Sequence, residues 1–139
     1  MIAFDTDALI EILRGNEEFL ARAAAIPVGE QAVPIIVLEE IIRGRLSEIR
    51  RAESGRGKLS IDRAYKLFEM SIDDFRRINI LPYTAAAEEV YQDWRAQKIR
   101  VSTHDLRIAA SCAAHSARLI SRNRRDFENI PGLDVEFWT

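Results

Sequence analysis

The sequence predicts an α/β chain in which a parallel central sheet is sandwiched between helices, a three-layer α/β/α arrangement. Three observations predict it. Short apolar runs recur along the 139 residues, in "IAF", "AVPII", "INILPY", "RLIS" and "LDVEFW". Stretches with apolar residues at helical spacing stand between them. Strand–helix–strand succession implies right-handed crossovers, so successive strands run the same way and helices cover the sheet. No internal repeat or low-complexity tract breaks the pattern, and the length suits a single domain spanning 1–139.

"IAF" is the first strand and ends at Asp5. "DALIEILRG" follows as a helix, with Leu9, Ile12 and Leu13 on one face and Gly15 as its stop. Asp7 is the expected cap of that helix, and Asp5 the residue that ends the strand. "EEFLARAAAI" is a second helix, closed by Pro27. "AVPII" is the second strand, with Pro34 expected at its start or on an edge. From Val37 the spacing of Leu38, Ile41, Ile42, Leu46 and Ile49 is that of an amphipathic helix. "ESGRGK" is a turn. Ser60 caps a long helix through about Arg77, and "INILPY" returns as a strand ended by Pro82. Thr84 caps a helix bearing Val90, Tyr91 and Trp94, which are expected inside. "STHDLRIAASCAAHSA" is a small-residue helix suited to close packing on a sheet. "RLIS" is a strand, "NRRDF" a helical turn and "LDVEFW" a last strand.

Hydrophobic residues make up 47% and charged residues 30% of the chain, the balance of a soluble domain with a substantial core. No apolar run reaches the length of a membrane span, and no signal-peptide pattern opens the chain. The one cysteine, Cys112, excludes an intrachain disulfide and a cysteine-rich zinc site; it reads as a small buried packing residue. His104 and His115 have no zinc-binding partner spacing; His104 reads as a capping or surface residue and His115 as a helix-surface residue. A reducing cytosol is the expected setting. The absence of a glycine-rich phosphate loop argues against nucleoside-triphosphate chemistry.

The net charge of −2 conceals segregation. Residues 1–42 hold eight acids and two bases. Residues 43–58 hold six bases and two acids, and residues 99–125 six bases against Asp105 alone. Basic blocks around an acidic head suit a polyanion approaching an acidic centre.

Open parallel sheets collect function at the carboxyl ends of their strands. Asp5 follows the first strand, Glu39 and Glu40 lie just past the second, Asp105 opens the small-residue helix, and Asp126 follows "LIS". Each acid has a structural reading: Asp105 stands three residues after Ser102, and Asp126 three after Asn123, the spacing of a capping box. Capping does not explain why every such junction is acidic. Clustered carboxylates repel unless protons or a cation quench them, and oxygen-only donors favour Mg²⁺ or Mn²⁺ over zinc. Glu39 and Glu40 point about 100° apart on a helix. Glu40 is the better candidate, because Gly44 lies one turn along the same face.

The chain resembles the PIN-domain ribonucleases of the VapC toxin type. "IAFDTDALIEIL" resembles their opening block, "IIVLEEIIRG" the second and "HDLRIAASCAAHSARLISRNRRDF" the third. The three blocks stand in order over nearly the whole chain. Asp7, Val37 and His104 depart from the family pattern, where Asn or Ser, Thr or Ser, and Asn are usual.

The resemblance implies a PIN-like α/β/α fold and a site of Asp5, Glu40, Asp105 and Asp126 around one or two divalent ions. Ser121 and Asn123 would border it, and Arg43, Arg45, Arg122, Arg124 and Arg125 would hold the RNA backbone. The implied activity is hydrolysis of structured RNA, transfer or ribosomal, by metal-activated water, leaving 5′-phosphate and 3′-hydroxyl ends. A VapB-like antitoxin and a homodimer through "AESGRGKLSIDRAYKLFEM" or neighbouring helices are the implied partners. Two alternatives stand beside it. "FDTDA" also resembles the opening of haloacid-dehalogenase-like phosphatases, although no late Gly-Asp pair follows. A catalytically silent PIN-like binding module is the other.

Overall fold

The computed structural model describes residues 1–138. In chain order the elements are β1 (Ile2–Phe4), α1 (Thr6–Leu13), α2 (Glu17–Ala24), a 3₁₀ turn (Val28–Glu30), β2 (Gln31–Pro34), α3 (Ile35–Glu53) and α4 (Ile61–Phe75). They continue as β3 (Ile80–Leu81), α5 (Ala85–Ala96), α6 (Thr103–Ala114), β4 (Arg118–Ser121), α7 (Arg124–Phe127) and β5 (Val135–Phe137).

The chain forms two compact units, one of Met1–Val37 with the segment from Asn79 onward, the other Leu38–Ile78. The first contains the whole sheet, in the order β3-β2-β1-β4-β5 with every pair parallel. This is the parallel sheet between helical layers that the strand–helix alternation predicts. Right-handed crossover puts α1 and α2, which carry the chain from β1 to β2, on one face. The same rule puts α5, α6 and α7, on the return through β4 to β5, on the other. The order reverses at β1 and β4, so the topological switch point lies between their carboxyl ends.

The core of this unit is made where the apolar runs predict. Ala3, Leu119 and Ile120 are fully buried on the central strands, and Leu106, Ile108, Ala109, Ala110 and Cys112 form the packed face of α6. Small residues on α6 let the helix approach the sheet closely. Trp138 closes one end, its ring edge-on to Phe4 at 5.7 Å and Phe19 at 5.6 Å. Tyr91 and Trp94 are buried as expected, and Tyr83 is half-buried, donating to Glu88 at 2.6 Å.

Several boundaries differ from the sequence reading. Ile35 and Ile36 begin α3 instead of ending the strand, and Pro34 is the last residue of an interior strand. Proline has no N–H for a further ladder bond, and its fixed φ suits a helix about to start. Only Ile80 and Leu81 of "INILPY" pair, at the sheet edge. Asp5, not Asp7, caps α1: its Oδ1 accepts from Ala8 N at 2.8 Å. His115 is the half-buried C-cap of α6, its Nδ1 lying 2.8 Å from Ser111 O, not a surface residue. Ser60, Thr84, Ser102 and Asn123 cap the helices they precede.

The second unit is a helical hairpin of α3 and α4. Arg45 Nε donates to the buried Ser71 Oγ at 2.9 Å and ties the two helices together. The connecting turn passes through Gly55, whose φ of +72° a side chain would strain.

Candidate active site

Parallel pairing of Ala3 with Leu119 and Phe4 with Ile120 brings the carboxyl ends of β1 and β4 side by side. Asp5 follows one strand and Ser121 ends the other. Ser121 Oγ donates to Asp5 Oδ2 at 2.5 Å, and the same hydroxyl accepts from Asn123 N at 2.9 Å. Asp5 is only 4% exposed, so its capping role and its place at the switch point coincide in one buried carboxylate. Burial pushes its carboxyl up to about 6. The bonds from Ser121 and Ala8 oppose that rise, and the charges of Asp7 and Asp105 add to it.

Asp105 lies in the first turn of α6, placed there by the Ser102 cap, whose Oγ accepts from Asp105 N at 3.3 Å. Its carboxyl is raised chiefly by burial, opposed by Ser102 and reinforced by the charge and hydrogen-bonding contact of Asp126 and the charge of Asp7. Asp126 lies in α7, where Asn123 both caps the helix and grips the acid. Asn123 Oδ1 accepts from Asp126 N at 3.2 Å, and Asn123 Nδ2 donates to Asp126 Oδ2 at 2.5 Å.

Asp5, Asp105 and Asp126 therefore form an electrostatically connected group in the first unit, with Ser121 and Asn123 holding two of them. Asp7, read from the sequence as a helix cap, joins this group through its charge. The signal was present in the departure of Asp7 from the family pattern. Glu40, Arg43 and Arg45 belong to α3 in the second unit. Arg43 pairs with Glu39 at 2.7 Å, and Arg45 with Glu48 at 3.1 Å. Arg122 pairs with Glu11 at 3.0 Å and lies over the Phe19 ring; Arg124 lies over Phe137 at 4.7 Å, and Arg125 is exposed on α7.

Among the described residues no three acidic, histidine or cysteine side chains are set close enough together to clasp a metal ion. The chemistry of the donors nevertheless suits a hard divalent cation. They are carboxylates, Asp105 and Asp126 act on one another, and Asp5 is buried against its own charge. Each oxygen of Asp5 that accepts a hydrogen bond keeps a second lone pair for a further partner.

A PIN domain family model matches residues 2–133. The chain belongs to the PIN domain family. This PIN domain is 40% identical over 62 residues to Ribonuclease VapC1 of Rickettsia felis, a match covering 40% of this chain and 45% of that relative. The chain thus spans less than half of VapC1 in that match. It is 28% identical over 127 residues to Ribonuclease VapC2 of the same organism, covering 88% of this chain and 81% of that one. The crystal structure of VapBC2 from Rickettsia felis, bound to a DNA fragment from their promoter, superimposes with a TM-score of 0.76. The identity is 22%, and 100% of both chains is covered, so the likeness is one of fold. Family membership removes the phosphatase alternative drawn from "FDTDA".

Proposed function

We propose that this PIN domain is a divalent-metal-dependent endoribonuclease that cleaves structured RNA and acts as the toxin of a toxin–antitoxin pair. The observation that carries the reading is the buried Asp5 carboxylate at the β1/β4 switch point, held by Ser121 and Ala8 and facing the charges of Asp105 and Asp7. Isolated carboxylates are not kept in such surroundings for stability, because burying their charge costs free energy. The names of the relatives, ribonucleases VapC1 and VapC2, support RNA as the substrate.

Asp5, Asp105 and Asp126 would hold Mg²⁺ or Mn²⁺. When bound, the ion supplies the positive charge that acidifies water and stabilises a phosphodiester under attack. Ser121 fixes the orientation of Asp5, and Asn123 that of Asp126, so neither carboxylate has to be ordered during the reaction. A carboxylate of this group accepts the proton of the attacking water. The cations around the site hold the substrate backbone. Products carry 5′-phosphate and 3′-hydroxyl ends, and transfer or ribosomal RNA is the substrate class. Glu40, the fourth acid that the resemblance implies, is tested in the same assay by Glu40→Gln, which is expected to lose cleavage as Asp5→Asn does.

A VapB-like antitoxin is the partner this reading requires, in keeping with the VapBC2 likeness. A homodimer through helices neighbouring the α3–α4 turn, which leaves that turn open, and a cytoplasmic setting complete it. Among the described residues no helix is long and apolar enough to cross a membrane.

The test is incubation of the purified chain with total RNA in magnesium, manganese or EDTA, beside Asp5→Asn. Cleavage with either ion, lost in EDTA and in the variant, is the expected result. RNA left intact under all conditions, or cleavage equal in Asp5→Asn, contradicts it.

A further inference from the structure

Five of the six cations of the basic segment 43–58 fall into two classes. Arg43 and Arg45 are matched to Glu39 and Glu48 within α3. Arg51, Arg56 and Lys58 instead line one open concavity at the α3–α4 turn, with Glu48, Gly57 and Leu59. Its volume of about 330 Å³ is ample for a phosphodiester group. Glu48 is the one acid in the lining, and its carboxylate is already engaged by Arg45 through both oxygens, at 3.2 and 3.1 Å. The concavity is therefore left with a surplus of positive charge.

The turn is built to hold that shape. The N–H groups of Arg56 and Gly57 both donate to Arg51 O, at 3.0 and 3.3 Å, folding the loop back on the helix end. A Cβ at Gly57 would meet the Arg51 Cβ at 3.2 Å, so glycine lets the loop close onto Arg51. Cations in the last turn of a helix are favoured by its dipole, which accounts for Arg50 and Arg51. It does not account for Arg56 and Lys58, which lie beyond the end of α3.

We propose that Arg51, Arg56 and Lys58 form a phosphate-binding site that grips the backbone of the RNA. This deepens the ribonuclease reading and rests on it for the identity of the polyanion. The backbone is the part of RNA that such a site recognises, because three point charges in an open concavity carry no base-edge readout.

The test is the affinity of a labelled transfer RNA transcript, read by fluorescence anisotropy in EDTA over a series of potassium chloride concentrations. Binding is thereby separated from cleavage. The triple substitution Arg51→Gln, Arg56→Gln, Lys58→Gln is expected to lower affinity at least roughly tenfold and to reduce the salt slope of log K by about two. Arg56→Gln with Lys58→Gln, which leaves the helix untouched, is expected to reduce the slope by about one to two. Arg77→Gln, an exposed cation paired with Asp73, serves as the control and leaves both quantities unchanged. A slope unaltered in both loop variants, or lowered equally by Arg77→Gln, overturns the proposal. Loss of slope with no cleavage of any RNA in magnesium sinks the ribonuclease reading and leaves the phosphate site standing.

Discussion

Ser121 Oγ donates a hydrogen bond to Asp5 Oδ2 across 116 positions of sequence, joining the carboxyl ends of two neighbouring parallel strands. The bond satisfies a carboxylate that the fold has taken out of water. Ser121→Ala removes the donor and leaves that oxygen without its partner. Urea denaturation near neutral pH is expected to show a loss of about 1–3 kcal/mol. Unchanged stability would mean that the hydroxyl does not support Asp5.

The buried Asp5 makes metal-free stability depend on pH. Its carboxyl is raised from 3.8 to about 6, so the folded chain holds this proton more tightly than the unfolded chain does. The stabilising contribution is full below about pH 3.8 and is lost as pH rises through about 6. Asp7 and Asp105 face the group with like charge, and the buried Cys112 thiol beside it is itself pushed up to about 12, mainly by burial. Asp5→Asn carries no charge at any pH. Its advantage over wild type in EDTA should therefore grow by up to about 3 kcal/mol from about pH 4 to about pH 7.5. A difference constant with pH would contradict this.

Asn123 separates positioning from folding. It caps α7 and grips Asp126. Asn123→Ala is expected to cost about 1 kcal/mol as a lost cap. RNA cleavage should fall by roughly 10–100-fold, as expected when a group orienting a ligating carboxylate is removed. Asn123→Ser keeps a cap acceptor but lacks the amide that donates to Asp126, so it should restore stability without restoring rate. Restored rate in that variant would assign Asn123 to capping alone.

Trp138 tests the packing of the sheet unit. Its ring, 4% exposed, meets Phe4 and Phe19 edge-on. Trp138→Ala is expected to cost about 3–5 kcal/mol in chemical denaturation. A loss below about 1 kcal/mol would place the residue outside the core.

The fold was legible because its signal is redundant. Each strand is an apolar run, and most helices, though not α3, are announced by a cap such as Ser60, Thr84, Ser102 or Asn123. Asp5 was harder to read, since one carboxylate both ends β1 and caps α1, and spacing alone favoured Asp7 as the cap. The end of β2 was hidden because "VPII" is equally apolar as strand or helix, and only the missing N–H of Pro34 decides. The acids were legible as residues at strand ends. The grips on them were not: Ser121 reaches Asp5 only through parallel pairing, a long-range relationship no local pattern carries. The division of the basic segment into matched Arg43 and Arg45 and the cations of the turn likewise needs three dimensions.

Manganese binding, followed by the paramagnetic resonance of the free ion, tests the central claim most directly. Wild type should take up the ion, and Asp5→Asn, Asp105→Asn and Asp126→Asn should each weaken uptake about tenfold or more. Uptake of equal strength in all three variants, or none in wild type, would show that these carboxylates do not share a cation.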